Sequence, residues 1–460
     1  MRVVHLSTSD LQGGAARSAW RLHLGLLELG CNSTMLVREK SSDHPTVRAT
    51  GWTRNARERF WEGLAAEHVW ANRTPVSTTH FSLGHPGRDL RQEPDIQQAE
   101  IIHLHWVADF LSADSLAALA ALGKPLIWTL HDQRPFTGGC HFSAGCAGFE
   151  ANCAHCPQLR RDPWRITERI LHDEAATFMR TPIQVVAPSQ WLARLARRSR
   201  RFARQSVTVI PYGVSEREFF SEDKTTARRR LGLPEDAFLI LSGADHAGEK
   251  RKGLDLLLNA FQQLPATTES GRPIRLLAFG RALSGDTPPG ARELRLGYLA
   301  EPVKLRAAYA AADVFVLPSL EDNLPNTLLE ALACGTAVAA FAVGGVPDVL
   351  REGENGWLLP PGDSAALGAK LRMLADEPGA VRACGVQGAA DMAAHYTVRQ
   401  QAERYLALYR ASAAETPSAT PPRTRSRLRR AAPLLALDLI ARHGLRQAWR
   451  QLREGCPTGR

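Results

Sequence analysis

The 460-residue chain has no stretch of 18 apolar residues free of charge, so no membrane-spanning helix is expected. Its opening residues, MRVVHLSTSD, lack the long apolar core of a signal peptide and read as a strand running into a turn. Cysteine is sparse: eight residues in the whole chain do not make a disulfide scaffold and point to reduced thiols in the cytosol. No short repeat of the solenoid kind is present. Charge of one sign is also missing from the body of the protein. The net charge is +10, but residues 421–460 hold ten arginines against Asp438 and Glu454, leaving only +2 for the rest. The basicity belongs to a tail, so nucleic acid is not an expected partner. What remains is globular, since 44% hydrophobic and 23% charged residues exclude wholesale disorder. The length suggests two or three domains of ~100–200 residues each.

Along the chain, short apolar runs alternate with stretches of helical spacing. Arg2–Ser7, Thr34–Val37, Ile101–His105, Pro125–Leu130, Ile183–Ala187 and Val207–Pro211 read as strands. Ala16–Leu29 has helical spacing, and 40–95 reads as polar helix and loop insertions. A second series has strands at Phe238–Ser242, Ile274–Phe279, Val314–Leu317 and Ala337–Ala342. Its helices include Leu254–Gln263, Val303–Ala311 and Asn326–Cys334. Alternation of this kind implies an α/β protein with parallel sheets covered on both faces, here two doubly wound, Rossmann-like domains. Such domains bind ligands at the carboxyl ends of their strands, and a cleft between the two is the expected site. Residues 396–412 form a helical stretch with Tyr405 and Tyr409, and Pro417–Arg423 is a linker rich in Pro, Ser and Thr.

Two segments carry candidate chemistry. Gly13 and Gly14 follow the first strand and open a helix, where backbone N–H groups can approach an anion; an ordinary tight turn reads the same way. The second segment is LPSLEDNLPNTLLEALACG, residues 317–335. A strand ends at Pro318, a loop holds Glu321 and Asp322, and a helix begins near Pro325, a residue tolerated in a first turn. Asp322 and Glu330, with seven residues between them, offer one carboxylate in the loop and one in the helix. Carboxylates accept strong hydrogen bonds from sugar and ribose hydroxyls. The bland alternative is one acid at a helix N-terminus and one solvated acid.

Asp322–Glu330 resembles the paired-acid E-x7-E motif of the retaining glycosyltransferases of family 4, which have the GT-B fold. EALACGTAVAAFAVGGVPDVLREGENGWLLPPGD (330–363), RKGLDLLLNAF (251–261), VIPYGV (209–214) and the opening Gly13-Gly14 loop resemble the same family. The similarity covers roughly 1–412. WTLHDQRPFTGGCHF (128–142) is similar to the subgroup that builds bacterial exopolysaccharides of the colanic-acid type. The resemblance implies an N-terminal acceptor-side domain (1–212), a C-terminal nucleotide-sugar domain (213–395), a crossover helix (396–412) and a linker with basic tail (413–460). It implies that Glu330 holds a ribose, Asp322 contacts the donor sugar, and Lys252 with Arg251 neutralises the diphosphate. Gly13 and Gly14 would lie close to the phosphates, and His131 near the donor sugar and acceptor. Catalytic roles fall on His131, Lys252 and Asp322, and donor contacts also on Glu321 and Asn326.

Three positions depart from the family pattern. Asp322 stands where a Glu is usual, with Glu321 adjacent. Pro325 stands where a glycine N–H often helps hold the donor, and proline cannot donate. Ala244 stands where a phosphate-binding arginine is usual, with Arg251 or Arg281 as substitutes. No D-x-D triplet occurs, the motif that holds a divalent ion in GT-A enzymes, so transfer without a metal cofactor is expected. The implied activity is retaining transfer from a UDP- or GDP-sugar to a growing, lipid-linked bacterial glycan. The alternatives are a GT-B sugar-nucleotide epimerase and a non-catalytic sugar-nucleotide-binding subunit.

Cys140, Cys146, Cys153 and Cys156 cluster within seventeen residues. A structural zinc is one reading; buried reduced thiols and two disulfides are the others. Residues 191–205 hold six arginines and no acid, with Trp191, Leu192, Leu195 and Phe202 as an apolar stripe. A basic amphipathic helix of this kind, with the 421–460 tail, suits an anionic membrane surface, and hence peripheral attachment at the inner face of the plasma membrane. A solvated helix packed on the sheet is the alternative. His5, His103 and His105 read as core or strand-end residues rather than ligands.

Overall fold

The computed structural model describes residues 1–414 apart from 78, 179–181, 247–248 and 282–291. The linker and the basic tail expected at 413–460 lie almost wholly outside the described residues. The chain divides into two compact units, one built from 1–188, 192–210 and Tyr405 onward, the other from 189–191 and 211–404.

The first unit is a seven-stranded parallel sheet. Its strands are β1 (Arg2–Ser9), β2 (Asn32–Glu39), β3 (Val47–Ala49), β4 (Ile101–Leu104), β5 (Leu126–Thr129), β6 (Gln184–Ala187) and β7 (Ser206–Val209). The spatial order is β3-β2-β1-β4-β5-β6-β7. β1 is buried at seven of its eight positions, and β4 and β5 are buried throughout, as strands with both faces covered must be. The short β3 lies within 40–95, which reads from sequence as helix and loop alone; at three residues it is too brief to leave a pattern. The helix Ala56–Asn72 does fall there, started by a capping box in which Asn55 and Glu58 satisfy each other's backbone N–H groups.

The second unit is a six-stranded parallel sheet of β8 (Phe238–His246), β9 (Ile274–Arg281), β10 (Glu293–Gly297), β11 (Val314–Leu317), β12 (Ala337–Phe341) and β13 (Gly356–Leu359). Its order, β10-β9-β8-β11-β12-β13, is that of a doubly wound nucleotide-binding fold, with the switch point between β8 and β11. Core packs on both faces. Phe315, Leu328, Leu329 and Tyr309 belong to one cluster and Phe238, Ile240, Leu257 and Phe341 to the other. Each such side chain, fully buried, contributes roughly 1.5–3 kcal/mol.

Two helix boundaries position candidate residues. The helix Gly13–Glu28 starts at Gly13, whose φ of +84° suits glycine, and Gln12 makes no side-chain cap bond. The helix Asn326–Ala333 follows Pro325 at its N-cap position. Proline there ends the extended segment and leaves only N–H groups that a first helical turn does not use internally.

Candidate functional site

In the second unit the candidate residues converge at the carboxyl ends of β8 and β11. After β8, a single tight turn, Lys250–Lys252, holds three cations, of which Arg251 and Lys252 reach the site. After β11, the loop carries Asp322, which is buried. Lys252 Nζ meets Asp322 Oδ2 at 2.6 Å, and Arg251 Nη1 stands 3.3 Å from the same oxygen. Arg251 also pairs with Glu249 at 2.9 Å and donates to the Glu321 carbonyl at 2.6 Å. The Asn323 backbone N–H donates to the other Asp322 oxygen at 3.0 Å. Burial alone would raise the Asp322 carboxyl, but Lys252 and Arg251 outweigh it and hold the group below its ordinary value. Burial depresses the Lys252 ammonium, with Asp322 pulling it back up.

Glycines let these loops touch. Gly253 sits at φ +66°, and a Cβ there would come within 1.9 Å of the Pro318 carbonyl oxygen. Gly344, at φ +56°, would place a Cβ 1.6 Å from the Asp322 carbonyl oxygen. Only glycine allows these approaches, so both glycines set the position of the Lys252–Asp322 pair.

Glu330 lies in the first turns of the helix after this loop and is 2% exposed. The Tyr309 hydroxyl donates to its Oε2 at 3.2 Å. A carboxylate kept inside an otherwise apolar helix face, among Leu328, Leu329 and Leu332, is an arrangement that burial alone disfavours. Tyr309 was not singled out from sequence; it reads as one apolar residue of a helix, and only the fold brings its hydroxyl to Glu330. Asn326 opens the same helix and is half-buried, as is Glu321. Arg281, one of two substitutes for the missing arginine, is exposed, pairs with Asp245 at 3.2 Å and stacks on Tyr298. Arg251, the other, stands in the cluster itself.

In the first unit His131 follows β5 and is buried. Its Nε2 shares a 3.1 Å hydrogen bond with His105 Nδ1, and His105 Nε2 shares one of 2.9 Å with His5 Nδ1. Neighbouring His103 bonds the Tyr409 hydroxyl and Thr129 Oγ1, each at 2.7 Å. Burial drives His5, His103 and His105 well below the ordinary histidine value. It pushes His131 down to about 4, against a smaller upward pull from Asp132. These are neutral imidazoles. His5, His103 and His105 are core residues, as expected, but they also lead in a line to His131. Parallel register pairs His5 with His103, and alternation puts His105 on the same face. Spacing alone thus marked two of them as neighbours, while the link to His131 needed β5.

Gly13 has open space around its missing side chain, and the first turn of its helix carries no acid. The apolar stripe expected to face lipid in 191–205 is turned inward instead. Leu192 and Phe202 are fully buried. Arg201 is buried too: it pairs with Glu174 at 2.5 Å and lies over the Trp128 ring. Half of the stripe is thus taken up by the fold's own core, while Trp191 and Leu195 are half-buried. Arg194, Arg197, Arg198, Arg200 and Arg204 remain as an exposed charged face. No described helix is long and apolar enough to cross a membrane.

Solved structures share this architecture. Sucrose-phosphate synthase from Thermosynechococcus elongatus superposes with a TM-score of 0.62 at 21% identity, covering 89% of this chain and 99% of that one. Anabaena HepE in complex with UDP-glucose gives 0.60 at 16% identity, covering 89% and 99%. The lipopolysaccharide glycosyltransferase WaaG gives 0.58 at 16%, covering 88% and 99%. The two sheets, with their strand orders, therefore define a GT-B protein. Family models match on each side, glycosyltransferase family 4 over 12–218 and glycosyl transferases group 1 over 237–377. The D-inositol 3-phosphate glycosyltransferase of Geodermatophilus obscurus is 32% identical over 452 residues, 91% of this chain and 90% of that protein. The chain belongs to the GT-B glycosyltransferases of family 4. Matches to two other relatives of that name, from Stackebrandtia nassauensis (35% identical) and Catenulispora acidiphila (32%), span 44% and 46% of this chain and about half of theirs, 48% and 53%.

Proposed function

We propose that the protein transfers a sugar from a nucleoside-diphosphate donor to a hydroxyl acceptor with retention at the anomeric carbon and without a metal cofactor. The observation that carries this reading is the Arg251–Lys252–Asp322 cluster at a strand end, one helix start away from buried Glu330. Glu330 would accept hydrogen bonds from the ribose hydroxyls. The Lys252 ammonium would meet the diphosphate, exchanging its Asp322 partner for phosphate oxygens. That exchange would free Asp322 to accept a hydroxyl of the donor sugar. As the glycosidic bond breaks, negative charge grows on the leaving phosphate, and Lys252 and Arg251 stabilise it in place. The sugar gains oxocarbenium character. The acceptor side falls to the first unit, where neutral His131 can hydrogen-bond a hydroxyl at pH 7 without adding charge.

Solved relatives of this fold bind UDP and UDP-glucose, which supports a nucleotide sugar as donor here. For the acceptor, the 128–142 segment favours a growing lipid-linked glycan of a bacterial surface or exopolysaccharide. A second reading is favoured by the full-length similarity to D-inositol 3-phosphate glycosyltransferases: a small phosphorylated polyol. Peripheral membrane attachment would then rest on the exposed arginines of 191–205 and on the 421–460 tail. Calorimetric titration with UDP- and GDP-sugars tests the donor site. Glu330→Gln should weaken binding of the productive donor about 10–100-fold, the worth of hydrogen bonds to a charged group. Unchanged donor affinity and turnover in that variant would remove Glu330 from the site.

A further inference from the structure

In the first unit, Cys140, Cys146, Cys153 and Cys156 line one small cavity of about 20 Å³ together with His155 and the apolar rings of Phe81 and Phe149. All four are free thiols. The donor-transfer reading has no use for them. The Gly148 N–H, two residues on, nevertheless donates to Cys146 Sγ at 3.3 Å. A bond of this kind stabilises negative charge on sulfur. A Cβ added at Gly148 would lie 3.3 Å from Cys146 Sγ and 3.9 Å from Cys153 Sγ, so these two sulfurs flank a single point. The loop is also held in costly conformations: Cys153 has φ +55° and Ala144 φ +49°. Each such residue costs on the order of 1–3 kcal/mol and persists only where the surroundings enforce it.

We propose that Cys140, Cys146, Cys153 and Cys156 bind a structural zinc ion as four thiolates, fastening the loop that follows His131. Zinc takes four sulfurs in tetrahedral array at about 2.3 Å, which draws them to ~3.8 Å from one another. Binding releases the four thiol protons to solvent and involves no change of oxidation state. The loop's value to the site is local. His141, next to Cys140, bonds Asp132 at 2.6 Å, and the Gln133 N–H donates to the His141 carbonyl at 3.0 Å. Fixing the cysteines fixes the segment that backs His131.

One rival set exists. Among the described residues, His5, His103 and His105 are the only His, Cys, Asp or Glu group whose ligand atoms all lie within 4.8 Å of one another. That trio carries no anionic ligand and is wholly buried, and His103 already spends both ring nitrogens on Tyr409 and Thr129. A dication there would be desolvated without compensation.

The test is metal analysis of the purified full-length protein by mass spectrometry, before and after a mercurial thiol reagent. About one zinc per chain, released as the thiols react, is expected. Replacing zinc with cobalt(II) should give sulfur-to-cobalt charge-transfer bands with the intense visible bands of tetrahedral geometry. Cys153→Ser with Cys156→Ser should remove the metal, and His103→Gln should leave it. A wild-type protein that holds no metal after zinc loading, with four freely titrating thiols or two disulfides by mass, overturns the proposal. So does metal retained in the cysteine variant but lost in His103→Gln.

Discussion

At the scale of single residues, the proposed transfer rests most heavily on Lys252. It is the cation nearest Asp322, at 2.6 Å, and Arg251 stands behind it at 3.3 Å. Removing Lys252 therefore does not orphan the carboxylate, and the fold should tolerate the change. Lys252→Ala is expected to lower kcat about 10²–10³-fold, the loss typical when one preorganised charge-stabilising group is deleted, with little change in melting temperature. Steady-state kinetics beside thermal melting would check this, and a variant with wild-type kcat would contradict the role. The histidines make a second residue-scale statement. His131 titrates near 4 when folded against about 6.5 unfolded. Between those values the unfolded chain binds more protons, so stability rises with pH across that window and falls on acidification. One such group accounts for on the order of 3 kcal/mol, and His5, His103 and His105 shift the same way. The melting temperature should drop clearly between about pH 7 and about pH 5, with the slope reduced in His131→Gln. A flat profile would refute the neutral histidine core.

At the scale of elements, the loop after β5 is tied to the helix Ile166–Phe178 by buried charge. Arg134 meets Glu174 through two nitrogens, at 3.1 and 3.0 Å, and Arg201 meets the same carboxylate at 2.5 Å. All three side chains are buried. Burial lowers the Arg201 guanidinium to about 10 even with Glu174 supporting it. Glu174→Gln leaves two buried cations without their anion and should cost about 3–5 kcal/mol, read as a fall in the denaturant midpoint. A shift below ~1 kcal/mol, the worth of a surface pair, would show the cluster to be solvated. Strands and helices were legible where periodicity is strong: β1, β4, β9, β11 and the helices Leu254–Gln262 and Asn326–Ala333 all sit within a residue or two of their sequence positions, β1 and β9 each running two residues further. β10, ELRLG, and β13, GWLL, were not read as strands. Each is a short edge or near-edge segment with a mixed or glycine-led pattern, and pairing with its neighbour decides it. At 191–205 the amphipathic pattern fits both a lipid-facing helix and a helix packed on its own sheet, and Leu192 and Phe202 pack inward. Periodicity reports that one face is covered, and here the cover is the unit's own core.

At the scale of the whole molecule, two doubly wound sheets follow from the alternation of strand and helix, and the paired acids fall at a strand end as that topology requires. Legible in the sequence were the candidate site's chemical groups, Lys252, Asp322 and Glu330, of which the structure brings Lys252 and Asp322 into contact. Their mutual arrangement was not, because it depends on Gly253 and Gly344 approaching backbone carbonyls of distant loops and on Tyr309 reaching Glu330 across a core. Such contacts leave no local pattern. Acceptor choice is further still from the sequence, since the relative from Geodermatophilus obscurus, similar over 90% of its length, carries a name that points away from a polysaccharide. The most direct measurement is a panel of UDP- and GDP-sugars incubated with the purified protein, offered both lipid-linked glycans and inositol phosphate, followed by mass spectrometry. The account predicts that one donor releases its nucleoside diphosphate and one acceptor gains a single sugar in the donor's anomeric configuration, with both signals lost in Lys252→Ala. Tight donor binding with no nucleoside diphosphate released in the presence of any acceptor would contradict it.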